Sequence, residues 1–202
     1  MNSYIQLFLR GIKPGRKTVD SQVIAFTSAV PGEGVSYVTE SFAAELAGRT
    51  KKRTIITDVA TLQKIDIFHY QHLPRYCCKT DIPYLHVLRQ DGDEYEDEAV
   101  QSQALAPRSA GSELDQGISN LQTLRFMYDY VLVDCPSIKE SGDAVYFASA
   151  VDGVVLVVSA ENTRKEQVRN ALNTIEMSDA NVLGCVLNKR RYPIPSWIYR
   201  RI

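Results

Sequence analysis

The sequence predicts a single three-layer α/β/α domain built on a mostly parallel central sheet. Three observations carry this expectation. Short apolar runs rich in valine and isoleucine recur along the chain, and they are continuous rather than alternating, as strands buried on both faces must be. These runs are separated by segments with helical periodicity, which is the order that builds parallel sheets through crossover helices. Within the 202 residues there is no internal repeat and no linker that would divide the chain, and this length suits one sizeable core.

The elements follow in order. Residues Gln22–Ala29, QVIAFTSA, read as a buried strand, followed by a glycine-rich loop and a helix over Ser36–Thr50. Arg53–Asp58, Tyr84–Leu88, Tyr130–Asp134, Gly153–Ser159 and Val182–Asn188 read as further strands, and Ser112–Tyr128, Lys139–Ala148 and Arg164–Met177 as helices. Thr61–Asp81 is polar, contains Pro74 and shows little periodicity, so it is expected to be irregular. QDGDEYEDE, Gln90–Glu98, reads as a solvated acidic loop. The domain is flanked by an N-terminal segment, 1–21, and a basic, aromatic tail, 189–202.

Composition excludes several classes. The hydrophobic fraction is 45%, the charged fraction 23% and the net charge −1, which is ordinary for a globular domain and gives no electrostatic footprint for nucleic acid. No apolar run approaches the roughly 18 residues of a membrane span. At the N-terminus an apolar patch precedes basic residues, the reverse of a secretory signal. Cys77, Cys78, Cys135 and Cys185 form no spaced framework and are expected as reduced thiols in a cytoplasmic protein. His69 and His72 stand before the cysteine pair, but the spacing matches no standard zinc pattern, and no metal site is expected there.

The chemistry concentrates at the ends of three predicted strands. In open α/β sheets, ligands sit beyond the carboxyl ends of the strands. After the first strand comes TSAVPGEGVSYVTE, Thr27 to Glu40. It follows the frame of a phosphate-binding loop, G-x-x-x-x-G-K-[ST], with Gly32, Glu33, Gly34, Val35, Ser36 and Tyr37 as its candidate binding residues. Glycines let backbone curl round an anion, and the helix that follows offers free N–H groups and a positive dipole end. Asp58 ends the second strand, and YVLVD ends in Asp134, the expected position of a magnesium-holding carboxylate. The lysine position of the loop is Val35.

TSAVPGEGVS, RTIITDVA, YDYVLVDCPS and VLGCVLNK together resemble the cytoplasmic domain of bacterial tyrosine kinases, the BY-kinases, within the ParA/MinD-like group of phosphate-loop ATPases. The resemblance runs from about Val23 to Asn188 and is poorest in the middle third. It implies a P-loop NTPase-like fold, ATP or ADP with magnesium as cofactor, and a role in capsule or exopolysaccharide synthesis. It also implies a membrane polysaccharide co-polymerase, or an active kinase paralogue, as partner. P-G-E-G marks the kinase branch; the ParA/MinD branch carries an additional lysine where this chain has Val30. In the family, a second acidic motif, D-x-D then L-R, maps to Asp58-Val59-Ala60 and Thr61-Leu62, so the second carboxylate is Ala60 and the arginine has no counterpart. A small hydroxyl residue expected after the loop serine is Tyr37. Of the ring-forming E-x-x-R-x-x-R helix, mapped to Tyr4, Leu7 and Arg10, one arginine remains. The phosphorylated tyrosine-rich tail is reduced to Tyr192 and Tyr199.

A charge-assisted hydrogen bond is worth roughly 1.5–3 kcal/mol, so loss of the loop lysine weakens phosphate binding by tens- to a hundredfold. Removing one transition-state donor costs about 100- to 1,000-fold in rate. The expectation is therefore a pseudokinase, with Asp58 and Asp134 as remnants and no bound cofactor. It acts by binding, as a monomer or small oligomer, peripheral at the inner membrane through its partner. Tyr192, Trp197 and Tyr199 are the candidate anchors. Two alternatives are an active ATP-dependent tyrosine autokinase, with Lys17 or Lys51 replacing the loop lysine, and a MinD-like positioning factor.

Overall fold

The computed structural model describes residues 21–65, 67, 76–89 and 110–190. Chain order gives β1 (Gln22–Ser28), α1 (Val35–Thr50), β2 (Thr54–Asp58), α2 (Val59–Lys64), β3 (Cys77–Lys79) and β4 (Leu85–Leu88). It continues with α3 (Ala110–Met127), β5 (Tyr130–Asp134), α4 (Asp143–Ala150), β6 (Gly153–Ser159), α5 (Lys165–Met177) and β7 (Val182–Asn188). The strands form one seven-stranded sheet in the order β3-β4-β2-β5-β1-β6-β7. All pairings are parallel except β3 with β4.

The continuous apolar runs have a direct explanation in this arrangement. Successive side chains of a strand point to opposite faces, and both faces of β1 are covered. Val23 and Ala25 join one buried cluster with Leu62, Leu121, Leu124, Phe147 and Ile175. Ile24 and Phe26 join another with Leu46, Leu132, Val155 and Val157. Among the described helices, α2 to α5 contribute to the first cluster and α1 to the second. At the base of the sheet, the buried Arg125 donates to Asp152 at 2.7 Å, and the same carboxylate oxygen accepts the Val23 amide at 2.8 Å. Burial pushes the Arg125 guanidinium down to about 10.

Two expectations need correction. The stretch Thr61–Asp81 is not wholly irregular: α2 runs to Lys64 and β3 covers Cys77–Lys79. Both are too short for periodicity to reveal them, and α2 is started by Asp58 rather than by an amphipathic pattern. The helix expected from Lys139 begins only at Asp143. The preceding turn is held by Glu140, which accepts from the Ser137 hydroxyl at 2.7 Å. His69 and His72 lie outside the described residues; Cys77 shares a hydrogen bond with the Tyr128 hydroxyl, 3.2 Å away.

Candidate functional site: a loop and cavity at the carboxyl ends of the strands

β1 and its neighbours end at a cavity of about 560 Å³, lined by the loop, by Asp58 and Ala60 after β2, and by the segment after β5. The loop reverses direction through Gly32 and Gly34, both at positive φ, 78° and 88°. Gly34 has a second reason to be glycine. A Cβ there would stand 2.4 Å from Asn188 Nδ2, closer than packing tolerates. α1 then starts at Val35, with Gly34 as its cap and no side-chain capping bond.

The loop residue Glu33 lies 1% exposed, with its carboxylate turned into the protein. Oε2 accepts the Val30 amide at 2.9 Å, while Oε1 accepts the Ser159 amide at 2.7 Å and the Thr163 hydroxyl. Glu33 still lines the cavity with the rest of the loop. Its carboxylate braces the loop from within.

Val35 and Ser36 both line the cavity. Val35 is half-buried against the second cluster. Ser36 hydrogen-bonds to Asp134, opposing the effect of burial, which pushes the Asp134 carboxyl above its usual range with help from Asp58 and Glu40. Asp58 and Asp134 are direct partners in the β2–β5 register. Asp58 also caps α2, accepting from the Thr61 amide at 2.8 Å and the Thr61 hydroxyl at 2.7 Å. Ala60 faces the same cavity.

Tyr37 does not line the cavity and is 70% exposed, so it neither blocks the cleft nor packs on the loop. At 100° per residue, the stripe through Val35, Val38 and Phe42 faces the sheet and residue 37 falls on the solvent side. Lys51 is excluded as a replacement cation because it caps the far end of α1, about 24 Å along the helix from Val35. Lys17 and the tail anchors Tyr192, Trp197 and Tyr199 lie outside the described residues.

Sequence reasoning missed Glu140, Asp143, Asn188 and Lys189. The first two line the cavity with no motif to mark them. Asn188 Nδ2 donates to the Glu33 carbonyl at 2.8 Å, and Lys189 Nζ to the Gly32 carbonyl at 2.5 Å. Their signal was present in the quoted VLGCVLNK. Among the described lining residues there is no lysine and no arginine, whereas Asp58, Asp134, Glu140 and Asp143 are all present. No described group of three or more His, Cys, Asp or Glu is placed to hold a metal ion.

No family model matches the chain. Individual relatives do. The tyrosine-protein kinase CpsD of Streptococcus agalactiae is 26% identical over 188 residues, covering 84% of this chain and 76% of that protein. The tyrosine-protein kinase YwqD of Bacillus subtilis is 27% identical over 186 residues, covering 86% and 76%. The chain is a homologue of the bacterial tyrosine-protein kinases. The succinoglycan biosynthesis transport protein ExoP of Rhizobium meliloti is 30% identical over 186 residues, which are 84% of this chain but 22% of ExoP. Among solved structures, the chimerical protein CapA2B2 superposes with a TM-score of 0.67 at 24% identity, covering 93% of this chain and 82% of that one. The septum site-determining protein MinD of Pyrococcus horikoshii, in complex with Mg-ADP, superposes with a TM-score of 0.57 at 18% identity, covering 90% and 76%. The kinase-like chain thus has the MinD/ParA-like P-loop fold.

Proposed function

We propose that this BY-kinase-like domain has lost catalysis and regulates or scaffolds bacterial capsule or exopolysaccharide synthesis and export by binding other proteins. The observation that carries the reading is the lining of the cavity. Val35 and Ala60 both face it, at the positions of the phosphate-binding lysine and the second acid. The carboxylates that remain have no basic side chain beside them among the described lining residues. A polyphosphate entering this cavity meets like charge, and an apolar side chain does nothing to offset its desolvation. The pathway follows from the relatives: one is a succinoglycan biosynthesis transport protein that contains the matching region within a longer chain. A polysaccharide co-polymerase or an active kinase paralogue is the proposed partner, reached through the basic-aromatic tail and positioned at the inner membrane. No described helix is long and apolar enough to cross a membrane.

Calorimetric titration with Mg-ATP and Mg-ADP tests the reading directly; no binding up to millimolar nucleotide is expected. A second reading, an active autokinase, is favoured by one feature. Ser36 and Asp134 retain their mutual hydrogen bond with Asp58 alongside, and the fold of the MinD neighbour holds Mg-ADP. Phosphotyrosine on the isolated chain after incubation with Mg-ATP, abolished by Asp134→Ala, would establish that reading instead.

A further inference from the structure

We propose that Asn188 and Lys189 form a latch that braces the loop from the end of β7. The loop is gripped from two sides. On the inner side the Glu33 carboxylate ties it to Val30, to the Ser159 amide at the end of β6 and to Thr163. On the outer side the two residues at the end of β7 hold consecutive loop carbonyls, Glu33 through Asn188 and Gly32 through Lys189.

Two features make this pair a latch and not an incidental contact. Asn188 Nδ2 occupies the space a side chain at 34 would need, so the close approach requires Gly34. Lys189 adopts a left-handed φ of 56°, a conformation that disfavours a non-glycine residue and that the compensating bond to Gly32 accompanies. Phosphate-binding loops use backbone N–H groups to order themselves round an anion. Here the ends of β6 and β7 also grip the loop. The latch deepens the non-catalytic reading, because the loop is braced by the chain's own residues.

Amide hydrogen exchange on the full chain tests the latch, with the Val30 and Ser159 amides as reporters because both donate to Glu33. In Lys189→Met and Asn188→Ala, exchange at Val30 should rise about ten- to a hundredfold, the scale of losing one strong hydrogen bond. Amides in the middle of β1 should not change, and Lys189→Arg, which keeps a donor, should restore most of the protection. Unchanged Val30 exchange in the Asn188→Ala/Lys189→Met double variant would overturn the latch. So would a rise spread equally over β1 and β5, which signals global destabilisation. Adding Mg-ADP to the unmodified chain separates this inference from the reading it deepens. Slower loop exchange with nucleotide refutes non-binding, while the variants alone decide the latch.

Discussion

Val35→Lys should restore measurable Mg-ADP binding. The new side chain starts from the first residue of α1, beside a serine already bonded to Asp134 and at the edge of a cavity of about 560 Å³. Its aliphatic stem can retain the packing of Val35 against the second cluster while the ammonium reaches solvent or phosphate, so stability should change little. The gain comes from one charge-assisted hydrogen bond in a site otherwise lined by carboxylates, roughly 1.5–3 kcal/mol, or about a ten- to hundredfold fall in Kd. Isothermal titration of the unmodified and variant chains with Mg-ADP measures it. On the proposed reading, hydrolysis should stay at background, with alanine at 60 where the resemblance implies a second carboxylate. Val35→Lys combined with Ala60→Asp then reports what turnover the fold supports. Tight binding by the unmodified chain would refute the reasoning, since another cation would already serve. No gain from a well-folded Val35→Lys would refute it equally, and obstruction by Tyr37 is no longer available as an explanation, given its exposure.

Further outcomes follow from the same structure. Glu33→Gln puts an amide donor against one of the amides that Glu33 now accepts; a loss of about 2 kcal/mol, or roughly 4–8 °C in Tm for a chain of this size, is expected by thermal melting, and an unchanged Tm would contradict the anchoring role. Asp134→Asn should stabilise the chain at neutral pH. Its carboxyl is held above the usual range by burial and neighbouring carboxylates, so ionisation costs folded-state stability as pH rises through the folded value. The gain should vanish below about pH 4, where the unmodified carboxyl is protonated in both states; denaturant titrations at both pH values check this. Light scattering should report a monomer or small oligomer, because Tyr4 and Leu7 replace charged ring contacts, and a salt-sensitive octamer dissolved by Arg10→Ala would contradict it.

The sheet was legible because its strands are buried on both faces. Val131, Leu132 and Val133 in β5, like the run through β6, permit no polar alternation, and their bounds could be read directly. The short elements were hidden: α2 exists because Asp58 caps it, and the three residues of β3 exist because β4 offers an edge. The loop frame, Val35, Ala60 and the two aspartates could be placed from residue order alone. The orientation of Glu33 could not, since its partners Ser159 and Thr163 are 126 and 130 residues away. Tyr37 was misplaced because adjacency in sequence to the loop says nothing of helical phase. Asn188 and Lys189 belonged to a quoted motif, yet their contact with the loop spans 155 and 157 residues and depends on β7 lying beside β6.

In the proposed non-catalytic reading, the remaining carboxylates are explained by the structure they hold. Asp58 caps α2, Glu140 closes the turn after β5, Asp143 accepts from Gln63 at 3.2 Å, and Glu33 braces the loop. Each therefore has a structural partner independent of any metal or phosphate, and removing it would leave buried or half-buried donors unpaired at a cost of about 1–3 kcal/mol. Asp134 differs: burial and its acidic neighbours oppose its charge, and the Ser36 bond offsets part of that effect. A lysine at 35 or a second acid at 60 would serve only a ligand. Those are the positions where the chain has valine and alanine. The proposed reading expects this division, because a carboxylate with a structural partner is retained for stability whether or not a ligand binds, whereas a side chain that meets only the ligand is not.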